Sequence, residues 1–148
     1  MLKFRRGFTL IELLVVIGVL AILLTITLIA INPSRQFSQS NNTKRRSDVN
    51  AILNGIHQFA ADNKGTLPTG ITTTAQNIKT GAADICDSLV PTYLAALPVD
   101  PLTNNGASVT DCTAAYDTNY TVVKSSTNNR ITVAAPAAEL SEAISVTR

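Results

Sequence analysis

Residues 8–31, FTLIELLVVIGVLAILLTITLIAI, form an apolar run interrupted by a single charge, Glu12. Coiled as a helix, the run is roughly 36 Å long, more than the about 30 Å of a bilayer's hydrocarbon core. It is too apolar for an ordinary soluble core and is expected to span a membrane. Lys3, Arg5 and Arg6 abut its start, whereas the nearest basic residues on the far side are Arg35 and then Lys44, Arg45 and Arg46. The tighter cluster marks the cytoplasmic end. A secretory signal would have a shorter apolar core and an A-x-A-like site; this run closes as LIAIN before Pro33, so cleavage by an ordinary signal peptidase is not expected.

Glu12 needs an account, because an ionised carboxylate is costly within an apolar helix. Lying about 6 Å from the helix start, it could reach the headgroup zone, or it could have a partner and a role. Pro33 removes one helical hydrogen bond and crowds the carbonyl of Ile29, so the helix should pause near Asn32. Residues 36–48 are polar apart from Phe37 and read as a solvated helix or a connector. Val49, Ile52, Leu53, Ile56, Phe59 and Ala60 then fall on one helical stripe that needs a partner surface. Asn63, Gly65 and Pro68 end that pattern.

Beyond it the sequence predicts loops, a short helix near 74–79 and another opened by Pro91. NYTVVK (119–124) and RITVAA (130–135), separated by SSTNN, predict an antiparallel hairpin. The fold class expected is therefore α+β, a long N-terminal helix whose outer half packs on a small antiparallel sheet. Cys86 and Cys112 lie in the segment read as exported, where an even count favours a disulfide over two buried thiols. Without Lys3, Arg5 and Arg6, nine basic residues face ten acidic ones, and the basic pI says little about partners.

The most specific feature is GFTLIELLVVI (7–17) behind a short basic leader. It resembles the prepilin signal of type IV pilins and type II secretion pseudopilins. The resemblance implies cleavage after Gly7 by a membrane prepilin peptidase, N-methylation of the new first residue Phe8, and a role in assembly for Glu12. It further implies an inner-membrane assembly platform with its ATPase, and other copies of the subunit in a helical filament. The chain then divides into a leader (1–7), a transmembrane and assembly helix (8–31), an amphipathic helix entering the head (32–63) and a globular head (64–148). Before assembly it would sit in membrane lipid as a single-pass protein with its head outside. Many pilins carry a helix-breaking proline at the position of Ile29; this chain has Pro33 instead.

LVPTYLAALPVDP (89–101) resembles the L-P-x-D-P segment of major secretion pseudopilins, with Leu102 where an aromatic residue is usual. Read without the family, Pro98, Asp100 and Pro101 make a rigid turn. Asp117 and Asn119 resemble the first ligands of a calcium loop, but Val122 and Asn128 stand where glycine and glutamate are required. No metal or cofactor is expected. His57 is the single histidine, and no catalytic triad or metal-ligand spacing is present, so no catalytic residues are expected. Lys44, Arg45 and Arg46 read as a solvated face, with DNA or anionic lipid as alternative partners. LPTG (67–70) reads as a turn, and Asn41 and Asn119 open N-x-T sequons. A filament subunit is the leading reading. The alternative is a monomeric membrane-anchored or secreted binding module, for example one that captures DNA.

Overall fold

The computed structural model describes residues 7–148, so Lys3, Arg5 and Arg6, which the sequence reading placed in a leader, lie outside the described residues. The chain forms two compact units, one ending at Phe37 and one comprising Ser38–Arg148. In the first, helix α1 (Leu10–Ile31) contains no buried residue and is long and apolar enough to cross a membrane. It stops at Asn32, whose left-handed backbone (φ 47°) caps it, and Pro33 opens helix α2 (Pro33–Asp62). The pause expected from Pro33 is thus present, and asparagine is among the few residues that tolerate this geometry.

The second unit holds the core. Val49, Ile52, Leu53 and Ile56 of α2 are fully buried, and Phe59 packs at the edge of the cluster with its ring edge-on to Tyr93, centroids 5.9 Å apart. The stripe read from the sequence is the face of α2 that meets the sheet. Gly55 is buried beside it, and a Cβ there would come 3.1 Å from Leu94 Cγ, so a larger residue would require the Leu94 side chain to shift by a few tenths of an ångström. Helix α2 ends where Lys64 and Gly65 take positive φ values.

The sheet is four-stranded and antiparallel, in the order β1 (Gln76–Lys79), β2 (Asp117–Lys124), β3 (Ile131–Ala135) and β4 (Ile144–Thr147). β2 and β3 are the expected hairpin, with Val122 opposite Val133 and Lys124 opposite Ile131. Thr118, Tyr120 and Val122 alternate inward along β2, as do Ile131, Val133 and Ala135 along β3. The α+β expectation holds.

Two local readings are corrected. Residues 76–79, read as part of a short helix, form β1, because Gln76 and Asn77 find ladder partners in Val122 and Thr121, which local propensity does not register. The short helix α3 (Cys86–Leu89) precedes Pro91 instead of following it. A residue before proline is driven to extended backbone, and Val90 has ψ 135°.

Candidate functional site

The N-terminal segment is built around Thr9 and Glu12. Thr9 is the N-cap of α1, with extended backbone, and its hydroxyl oxygen accepts from the Glu12 N–H at 3.2 Å. Glu12 returns the bond: its Oε2 accepts from the Thr9 N–H and from the Thr9 hydroxyl, both at 2.8 Å. This reciprocal capping box satisfies donors that a helix start leaves open, with a negative charge placed at the positive end of the helix dipole. Phe8 is 86% exposed immediately before it. A Cβ added at Gly7 would meet nothing within 4 Å, and its φ lies outside the left-handed range, so the fold makes no demand for glycine there.

Cys86 and Cys112 form a disulfide, with Cα atoms 5.5 Å apart and a sequence separation of 26. Cys86 is fully buried beside the core, so the bond fastens the loop around Cys112 to it.

The centre of the head carries an ionic arrangement that the sequence reading assigned to solvent. Arg45 is fully buried, as is Asp100. Arg45 Nε donates to Asp100 Oδ2 at 2.6 Å and Nη2 to Oδ1 at 3.1 Å, a bidentate pairing of the kind guanidinium favours. Its Nη1 donates to Asn42 Oδ1 at 3.0 Å and to Glu139 Oε2 at 2.8 Å. Asp100 Oδ1 also accepts from the Leu102 N–H at 2.9 Å. Glu139 accepts from the Ser38 hydroxyl at 2.8 Å and from the Asn41 amide at 2.9 Å. Asn42 clasps the Glu139 backbone in both directions, donating to its carbonyl and accepting from its N–H. A charge withdrawn from water is tolerated when its donors and acceptors are matched in this way.

These contacts set the local electrostatics. Arg45, with Asn41 and Ser38 assisting, holds the Glu139 carboxyl down at about 2. The Asp100 carboxylate raises Arg45 further above its already high value. Burial, reinforced by Asp48, pushes the Tyr120 hydroxyl up, and its O–H donates to Asp48 Oδ2 at 2.8 Å.

The reading of Lys44, Arg45 and Arg46 as one solvated basic face therefore fails at Arg45. Lys44 pairs with Asp48 at 2.7 Å, and Arg46 pairs with Glu142, so each of the three basic side chains has a carboxylate partner within the head. Asp100 is likewise more than part of a turn, since it is Arg45's buried counter-ion. One signal was present in the sequence. Asn42 and Arg45 lie seven and four positions before Val49, so they continue the buried stripe toward the start of α2. Asp117 and Asn119 lie in β2, His57 lies in α2 with its Nε2 enclosed and unbonded, and residues 69–70 of LPTG form a turn.

Compared with known proteins, residues 2–28 match the family model of the prokaryotic N-terminal methylation motif. No curated protein and no solved structure matches the chain. The matched stretch covers Gly7, Phe8, the Thr9–Glu12 capping box and most of α1. With an apolar, unburied helix ahead of an α+β head, the chain carries the prepilin-type signal of type IV pilins and pseudopilins and has a pilin-like architecture.

Proposed function

We propose that the chain is a structural subunit of a type IV pilus or pseudopilus-like helical filament. A prepilin peptidase cuts after Gly7, Phe8 becomes the N-methylated first residue, and the subunit waits in the inner membrane, with its head outside, until the assembly platform and its ATPase draw it into the filament. The observation that carries this reading is the methylation motif lying on a helix with no buried residue. Such an apolar surface needs lipid before assembly and neighbouring helices after it. The open space around Gly7 supports the same reading, because a glycine that the fold does not require is accounted for by a peptidase that does.

Cleavage creates an α-amine on Phe8, a charge that bundling of helices would remove from water. Glu12 of a neighbouring subunit offsets it. A pair that is stable only when both members are present penalises misplaced subunits and fixes axial register. Repetition by a rotation that does not close produces a helical filament.

The test is intact mass and N-terminal sequencing of protein from its native membrane and from sheared surface fractions. A start at N-methylated Phe8 in both is expected. A start beyond Ile31 would sink the proposal, because the assembly helix would be gone.

A further inference from the structure

Among the described residues of the unit Ser38–Arg148, two large apolar side chains stay exposed, Leu102 at 66% and Leu140 at 44%. Each follows a carboxylate that holds Arg45. The Leu102 N–H donates to Asp100 Oδ1 at 2.9 Å, and Leu140 comes directly after Glu139, whose Oε2 accepts from Arg45 Nη1 at 2.8 Å. One buried guanidinium therefore fixes both leucines at the same end of the head. Leu140 and Ser141 have φ values of 59° and 57°, a left-handed backbone that a bulky side chain adopts only under strain. The bonds from Ser38, Asn41 and Asn42 to Glu139 hold that conformation in place and keep an apolar side chain in water.

Chain length says what lies near that end. α1 has 22 residues, about 33 Å of helix against about 30 Å of hydrocarbon. Ser38, which donates to Glu139 Oε1 at 2.8 Å, follows the last residue of α1, Ile31, by only seven positions. At a helical rise those positions add about 10 Å, and any bend at Asn32 shortens the distance. The polar layer on each side of a bilayer is about 5 to 8 Å deep. A leucine beside Glu139 is thus held within a few ångströms of the headgroups, whatever the angle of α1. Charge does not oppose contact with an anionic surface, because Arg45 pairs with both Asp100 and Glu139. Lys44 and Arg46 pair likewise with Asp48 and Glu142.

We propose that Leu102 and Leu140 form a two-point anchor that rests the head on the outer surface of the bilayer its own α1 crosses. Their partner is the phospholipid interface, where a leucine side chain leaves water. Two side chains suffice because the chain is already tethered to that surface, so docking is intramolecular and needs little intrinsic affinity. The inference rests on the membrane-spanning reading of α1.

The chain contains no tryptophan, so a single introduced tryptophan reports its depth without background. Full-length Leu102→Trp, Leu140→Trp, Ser126→Trp and Ile22→Trp are each reconstituted in phosphatidylcholine–phosphatidylglycerol vesicles whose acyl chains carry bromine near the headgroup, a contact quencher. Leu102→Trp and Leu140→Trp should lose roughly half of their emission, and Ser126→Trp, in the β2–β3 loop, should lose none. Adding Leu140→Gln to Leu102→Trp should restore most of the emission, a recovery that the reporter's own affinity for the interface does not produce. Full emission at positions 102 and 140, with Ile22→Trp quenched, overturns the anchor and leaves α1 in the membrane. Quenching at 102 that Leu140→Gln does not change overturns it as well. Emission at 102 or 140 that shifts with the protein-to-lipid ratio, without quenching by bromine, assigns the leucines to a second copy of the chain and overturns contact with lipid. An unquenched Ile22→Trp overturns the spanning reading of α1, and this inference with it.

Discussion

Arg45 of α2 and Asp100, which opens the turn at residues 101–102, meet inside the head with both side chains fully buried, the guanidinium Nε 2.6 Å from one carboxylate oxygen and Nη2 3.1 Å from the other. They are 55 positions apart in sequence. Removing one member strands the other away from water, so Arg45→Met or Asp100→Leu alone should destabilise the head by roughly 3 to 5 kcal/mol. Replacing both with apolar residues should recover much of that loss. Thermal melts of the full chain in detergent check this; a double variant no more stable than either single one would show that the stranded charge is not the cause.

Glu139 makes the same centre sensitive to acid. Its carboxyl is held at about 2 against an ordinary value of 4.5, so folding binds fewer protons than the unfolded chain does. The stabilisation is complete above 4.5 and disappears as pH falls toward about 2. Glu139→Gln should flatten the stability profile across that window and leave its shape at neutral pH unchanged. Denaturant midpoints measured from pH 6 to pH 2 would reveal an unaltered slope if another group is responsible.

The disulfide should be worth roughly 3 to 4 kcal/mol in the chain-entropy model. Its two cysteines are 26 positions apart. Cys86→Ser with Cys112→Ser should lower the melting temperature of the head, yet leave the amount of membrane-inserted chain unchanged, since α1 contains neither cysteine. Thiol labelling of denatured, unreduced wild-type protein should find no reactive cysteine.

Gly7→Val should block processing. Nothing in the fold opposes the larger side chain, so an accumulating precursor would locate the defect in the peptidase's own site. Normal cleavage of this variant, read by intact mass, counts against the assigned junction.

Glu12→Gln separates the two readings of that residue. Glutamine keeps the length of the side chain and can still accept from the Thr9 N–H, so insertion and cleavage should persist. If Glu12 pairs with a neighbour's Phe8 α-amine, the change strands that charge at a cost of roughly 3 to 5 kcal/mol, and filaments should be lost. Filament yield in sheared fractions is measured beside processed subunit in membranes. Abundant filaments containing only the variant would return Glu12 to the headgroup zone.

What the sequence disclosed and what it hid follow from the range of the interactions. The apolar run, the stripe on α2, the helix stop signalled by Asn63, Gly65 and Pro68 and the β2–β3 hairpin are written in local periodicity and turn chemistry, and each was legible. β1 is only four residues long, Gln-Asn-Ile-Lys, with one buried position; it is a strand because β2 lies beside it. Arg45 was hidden for the same reason in stronger form. Its own neighbours, Lys44 and Arg46, suggest a charged surface, while the carboxylates that make its burial tolerable come from 55 and 94 positions away. Glu12's capping partner is three residues away, but one charge in an apolar run fits a membrane role as well as a helix cap, and the sequence pattern does not separate the two.

The sequence distance between Arg45 and Glu139 also has a meaning in time. A ribosome adding roughly 5 to 20 residues per second makes Arg45 some 5 to 20 seconds before the last of its ligands, 94 positions later. Until then α2 exists with a guanidinium at the start of its inward stripe and no full set of acceptors. Chains released early, short of Glu139, keep that defect permanently, and their unsealed heads offer quality-control proteases a place to begin. The buried arginine thus distinguishes finished heads from truncated ones.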